Sequence, residues 1–338
     1  MNNTRVLLKR RTGGIPQEQD FELVDAATDR PAAGELLCET LYLSLDPYLR
    51  GRISGRHISG AINVGDLMGG EAVNRVIESK SDRFRQGDII AAHSGWQSHP
   101  VVRADAARQV NPELGPLSTL LGILGMPGLT AYAGMTRLAG LKADDTVVVS
   151  AASGPVGSMV GQIARRKGCR IVGIAGSAEK CRWTVEQAGF DRGINYKTET
   201  LRDSLKRACP DGIDVYFDNV GGDTLQACME QLAFGARVIL CGLIAQYNTN
   251  EMPPGPNPAF IIKARATVRG LVVYDHEDLR PEFEQQVSRW LKQGEICYRE
   301  DCVEGLEHAP ALFCRLMRGE NFGKAIVNVQ GTDFKSVP

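Results

Sequence analysis

The sequence has no excess of either charge: 39 Lys and Arg stand against 40 Asp and Glu in 338 residues. That balance leaves no electrostatic footprint for nucleic acid or an anionic membrane, and it favours a small neutral or weakly acidic ligand. Apolar runs approaching the ~20 residues of a membrane helix are missing as well, because "VRGLVV" and "RVILCGLI" are short and interrupted. No CxxC occurs among the nine cysteines, and the nearest pair, Cys297 and Cys302, lacks a matching second pair. A structural zinc site is therefore disfavoured. The polar start "MNNTRVLLKRR" carries no secretory segment, so the expectation is a cytoplasmic protein with reduced thiols, in preference to a disulfide between Cys297 and Cys302.

What is present fits a folded chain of about two domains. Up to about residue 115, short apolar runs such as "RVLLK", "ELLCETLYLSL", "EAVNRVIES" and "DIIAA" alternate with glycine-bearing turns, which reads as mainly β. From "PLSTLLGILGMPGLTAYAGMTRLAGL" the period becomes helical. Strands are then predicted over 146–151, 170–175, 192–196, 213–220, 237–243 and 266–273, with helices near 156–167, 178–188, 199–208, 222–233 and 257–264. Buried strands alternating with helices specify an α/β domain with a doubly wound parallel sheet of the Rossmann type. A further helix, "RPEFEQQVSRWLKQG", closes it; the segment "EMPPGPNP" reads as a loop, and "GTDFKSVP" as a frayed tail.

The stretch "VVVSAASGPVGSMVGQIARRKGCRIVGIAGSAEKCR" carries the first chemical signal. A strand running through a glycine turn into a helix presents unpaired N–H groups and the positive end of the helix dipole to a pyrophosphate. Gly154, Pro155, Val156 and Gly157 form that cradle, with Gly154 permitting close approach and Gly157 close packing. Ala152 stands where a usual fingerprint has its first glycine. At the end of the second strand no acid is available to accept from a ribose diol; Ser177, Lys180 and Arg182 follow instead. A hydroxylated, cationic edge suits a 2′-phosphate and hence NADPH. The alternative is that Lys180 and Arg182 are solvated charges of the next helix.

A β-rich first half before such a coenzyme domain resembles the medium-chain dehydrogenase/reductases. The segments "LYLSLDPYLRGR", "LGILGMPGLTAY", "YFDNVGG", "CGLIAQYN" and "GENFGKAIV" are similar to those of the zinc-independent, NADPH-dependent alkenal/one reductases, the group that includes bacterial curcumin reductases and the prostaglandin and leukotriene reductases. The resemblance implies a GroES-like substrate domain over 1–125, a Rossmann domain over 126–295, a segment 296–330 packing back on the first, and a tail 331–338. It also implies a missing metal. Where zinc-binding relatives have a histidine and a cysteine, this sequence has Gly70 and the Leu45–Asp46 pair, which cannot hold zinc.

By the same resemblance, a hydride passes from NADPH to the β-carbon of an α,β-unsaturated ketone or aldehyde, and the enolate is protonated at the α-carbon. Tyr247 is the implied proton donor or relay, and Tyr48, Trp96 and Met126 are implied substrate contacts. Each has a plainer reading as a packed or backbone-bonded residue. Some relatives carry another tyrosine in the loop where this sequence has His57 and Ile58. The implied coenzyme contacts continue with Tyr196, Asn219, Cys241, Gly242, Tyr247, Leu271, Val272, Val273 and Asn321. Cys241 reads as an inert thiol after a buried strand. A homodimer is the implied assembly. The competing functions are a quinone reductase and a non-enzymatic, redox-sensing NADPH-binding protein.

Overall fold

A computed structural model describes residues 2–249 and 253–331. The segment 250–252, with two residues of "EMPPGPNP", and nearly all of the expected tail lie outside the described residues. The chain divides into two units, Met1–Gly122 with Glu300–Pro338, and Ile123–Arg299.

The first unit is built on β1 (Asn2–Leu8), β2 (Phe21–Ala27), β3 (Glu35–Ser44), α1 (Tyr48–Ile53), β4 (Ala72–Ser79), β5 (Ile89–Ala92), β6 (Val101–Arg103) and β7 (Arg108–Gln109). β1 and β2 form an antiparallel pair. β3 is long and apolar because it is central: it pairs with β4, with β6 and with a C-terminal strand. Leu36, Cys38, Val76, Ile90 and Val102 fill one core of this unit.

The second unit runs α2 (Met126–Ala133), β8 (Thr146–Ser150), α3 (Pro155–Arg166), β9 (Arg170–Ala175), α4 (Ala178–Glu186), β10 (Arg192–Asn195), α5 (Leu201–Ala208), β11 (Ile213–Asp218), α6 (Gly222–Met229), β12 (Leu232–Leu240), α7 (Ala259–Ala264), β13 (Thr267–Gly270) and α8 (Arg280–Lys292). Its six strands are parallel in the order β10-β9-β8-β11-β12-β13, the doubly wound order with a switch point beside the first strand. Val148, Val172, Ile194, Tyr216 and Val238 pack one core of this sheet. The C-terminal segment then returns to the first unit as β14 (Glu300–Glu304), α9 (Ala309–Met317) and β15 (Lys324–Asn328), with β15 parallel to β14 and antiparallel to β3.

Two boundaries differ from expectation. The helix expected over 222–233 stops at Met229, and β12 starts at Leu232 in place of 237. Leu232 pairs with Ile213, and a bulge with Gly235 at φ 75° carries the register to Val215 and Arg237. The strand expected over 266–273 is only Thr267–Gly270, so Leu271, Val272 and Val273 lie beyond its end.

Candidate functional site

The cradle after β8 forms from a single left-handed residue. Ala151, at φ 51°, turns the chain, a conformation that costs an L residue roughly 1–2 kcal/mol. Its carbonyl accepts the Gly154 N–H at 3.0 Å. Ala152 itself needs no positive φ; its N–H donates to the Ile174 carbonyl at 3.0 Å. Its methyl sits over Gly173, where a Cβ would come within 2.8 Å of it. The alanine in the first fingerprint position is therefore matched by a glycine on the neighbouring strand.

Gly157 has no room for a side chain, because a Cβ there would strike the Ala151 carbonyl and lie 2.9 Å from the Ala152 Cα. A Cβ on Gly154 would meet only the Ala151 carbonyl, at 3.2 Å, so this face of the loop is open. No side chain caps α3, which begins with Pro155 at a position where a missing N–H costs nothing. The first-turn N–H groups of Val156 and Gly157 and the helix dipole thus meet a clear approach, and a pyrophosphate fits this cradle.

At the end of β9, Ser177 caps α4, its hydroxyl accepting the Lys180 N–H at 3.2 Å. Lys180 lies in the first turn of that helix, and Arg182, two residues later, does not share its face. The i,i+2 spacing sets Lys180 closer than Arg182 to the Ser177 cap at the strand end. Tyr196 leaves β10 beside this edge; a Cβ at Gly176 would stand 3.2 Å from its ring.

The ends of β8, β11 and β12 are held by a network that the sequence reading missed. Asp218, fully buried, accepts hydrogen bonds from the Ser150 hydroxyl (3.1 Å), the Tyr216 hydroxyl (2.6 Å) and the N–H groups of Val220 (3.0 Å) and Gly221 (3.0 Å). Burial pushes its carboxyl above the usual range, and these donors pull it part of the way back. Its own carbonyl accepts from Cys241 (2.8 Å) and Gly242 (3.1 Å). Asn219 is locked to β8 by its N–H to the Ser150 hydroxyl and its side-chain amide to the Ser150 carbonyl, both 2.8 Å. The only available signal was an acid following the buried run Val215–Phe217, a pattern too common to have singled it out.

Tyr247 follows a short 3-10 turn, Ile244–Gln246, and its hydroxyl accepts the Leu243 N–H at 3.4 Å. Burial raises the phenol pKa, so the hydroxyl keeps its proton. The Cys241 thiol is pushed up to about 12 by burial, as suits an unreactive cysteine. Leu271 and Val273 are buried and Val272 is exposed. Met126 opens α2 and is half-buried.

In the first unit, the Tyr48 and His57 rings meet at a tilt, 37° between planes with centroids 5.2 Å apart. The His57 Nδ1 accepts the Ser59 N–H at 3.1 Å, and burial with the nearby Arg52 charge lowers its pKa. Asn321 donates to the Gly323 carbonyl at 2.9 Å. Trp96 does not line a cleft: it is fully buried, stacked on Phe21 at 5.7 Å and edge-on to Phe313 at 5.6 Å. The packing reading holds for this residue, because a ring enclosed on both sides cannot meet a ligand. A Cβ at Gly70 would lie 3.1 Å from the Trp96 Nε1 and 3.2 Å from both Leu43 Cδ1 and the Ser44 carbonyl, which leaves no space for an imidazole. Asp46 is committed to Lys324 at 3.0 Å. Among the described residues, no group of three or more His, Cys, Asp or Glu could hold a metal ion.

A family described as the N-terminal domain of oxidoreductase matches residues 4–110, and one described as zinc-binding dehydrogenase matches 155–293. The chain is 40% identical over 338 residues to an NADPH-dependent curcumin reductase of Escherichia coli, covering 98% of each chain. It is 44% identical over 326 residues to prostaglandin reductase 1 of Bos taurus, covering 95% of this chain and 97% of that one. The chain belongs to the alkenal/one reductase family. This is a family of NADPH-dependent oxidoreductases within the medium-chain dehydrogenase/reductases. A solved structure of CurA from Vibrio vulnificus in complex with NADPH matches with a TM-score of 0.91 at 39% identity, covering 97% of this chain and 100% of that one. Its likeness extends over both units, the Rossmann sheet and the mainly β unit, which is GroES-like.

Proposed function

We propose that this alkenal/one reductase reduces the carbon–carbon double bond of α,β-unsaturated ketones and aldehydes with NADPH and without zinc. The observation that carries the zinc-free reading is Gly70 against the Trp96 indole, in the segment where a metal-binding histidine would have to stand. The relatives' names, curcumin reductase and prostaglandin reductase, support the substrate class.

NADPH, when bound, supplies the hydride. The α3 N-terminus holds the pyrophosphate through the Val156 and Gly157 N–H groups, and the Gly176–Ser177 edge with Lys180 and Tyr196 takes the 2′-phosphate. Asn219, anchored to Ser150, serves the adenosine side; Cys241 and Gly242, anchored by the Asp218 carbonyl, begin the nicotinamide loop, and Leu271, Val272 and Val273 close over the ring. Tyr247 holds a proton at its hydroxyl oxygen and donates a hydrogen bond to the substrate carbonyl oxygen as it becomes an enolate. One such donor contributes ~3–4 kcal/mol in the transition state. Tyr48 and Met126 are proposed substrate contacts, and Asn321 a coenzyme contact.

An edge strand, β13, and the exposed Ile262 and Phe234 support a homodimer that covers them. Nine free thiols support a reducing, cytoplasmic setting. The balanced charge supports small molecules over nucleic acid or a membrane surface as partners. NADPH consumption over graded enones, enals and quinones, in chelator-treated buffer with product identification, tests the reading. Saturated ketones from enones are expected; turnover confined to quinones, or dependent on added zinc, refutes it. Tight NADPH binding without oxidation across the panel would mark a binding protein instead.

A further inference from the structure

Parallel pairing sets Asn195, the last residue of β10, opposite Ala175, the last of β9. The chain leaving β10 therefore runs beside the chain leaving β9, and the Tyr196 N–H donates to the Ala175 carbonyl at 3.2 Å. Lys197 comes next. Its N–H donates to the Asn195 Oδ1 at 3.1 Å, and the turn is closed by the Glu199 N–H to the Asn195 carbonyl at 2.9 Å. A Cβ at Gly176 would lie 3.4 Å from the Lys197 Cε, just beyond the Tyr196 ring. An exposed lysine stem thus runs along the same strand end that lacks the acid.

The nearest acid in sequence is engaged elsewhere. Glu199 accepts from the Ser204 hydroxyl at 2.8 Å and the Asn195 N–H at 2.9 Å, and it faces Arg192 at 3.9 Å. With its Cε 3.4 Å from where a Gly176 Cβ would stand, Lys197 carries its ammonium one bond further on, beside the strand end that leads into α4. A phosphate there would have a cation on each side, Lys180 from the helix and Lys197 from the next strand's turn. We infer that Lys197 is a specificity-determining residue that contacts the 2′-phosphate of NADPH and helps to select it over NADH. The inference rests on the assignment of this edge to the adenosine ribose made above.

The test uses the full chain and compares Lys197→Ala, Lys197→Arg and Lys180→Ala for dissociation constants of NADPH, NADH and 2′,5′-ADP at low ionic strength. For Lys197→Ala, NADPH and 2′,5′-ADP are expected to weaken by about tenfold, the loss of one charge-assisted contact. NADH should stay unchanged, and Lys197→Arg should keep most of the affinity. Equal weakening of NADPH and NADH, or no change in either, overturns the inference. If Lys180→Ala alone separates the two coenzymes, the edge assignment stands and Lys197 is out. If neither lysine variant separates them, the edge assignment falls as well.

Discussion

The Ser150 hydroxyl donates to the Asp218 carboxylate at 3.1 Å, joining the ends of β8 and β11 at the point where the strand order of the sheet reverses. Ser150 holds Asn219 and the Asp218 carbonyl holds Cys241 and Gly242, so the pair fixes a strand-end platform.

Asp218→Asn should cost about 1–3 kcal/mol of stability at neutral pH, because an amide nitrogen in place of Oδ2 would face the Gly221 N–H donor to donor. Thermal unfolding measures this, and NADPH affinity should fall with it. The sign with pH follows from the raised carboxyl pKa. The folded state takes up a proton more readily than the unfolded one, so this site adds stability as pH falls through its raised value. The gap between wild type and Asp218→Asn should widen on acidification toward the ordinary carboxylate range. In a Ser150→Ala, Asp218→Asn cycle the two costs should not add, since they break one network.

Gly157→Ala and Gly154→Ala separate packing from approach. The first forces a methyl into the Ala151 carbonyl and should destabilise by about 1–3 kcal/mol and weaken NADPH. The second sets a methyl 3.2 Å from the same carbonyl, a tight contact but far milder than that of Gly157, and should lower the melting temperature less while weakening NADPH, because the methyl enters the open face. Unfolding curves with and without NADPH distinguish the two.

Tyr247→Phe should lower kcat about 100-fold or more, with little change in NADPH affinity. Its pKa is raised by burial, so the wild-type rate should hold as pH rises to about 10, the ordinary phenol value, before the proton is lost. A pH–rate profile of the wild-type enzyme reads this directly.

Gly70→His should not create a zinc enzyme. The imidazole would displace the Trp96 indole, and the expected result is a lower melting temperature without stoichiometric zinc by metal analysis.

The order of elements and the glycine turn before α3 were legible in the sequence, because period, turn residues and helix starts are local properties. Ala152 looked like a damaged fingerprint; its partner, Gly173, stands on the next strand and is linked to it only through packing. Trp96 could be read either as a cleft wall or as core, and the Phe21 and Phe313 contacts made it core. The start of β12 was misread because a bulge hides the pairing of Leu232 with Ile213.

The sequence by itself determined the doubly wound sheet and the missing acid after β9, since each is a matter of residue type and period at local positions. Only the tertiary structure decided that Asp218 ties three strand ends together and that the Lys197 stem lies beside Gly176 at the end of β9. Parallel pairing is non-local: it sets residues about 20 positions apart side by side, and no periodicity along the chain records that register.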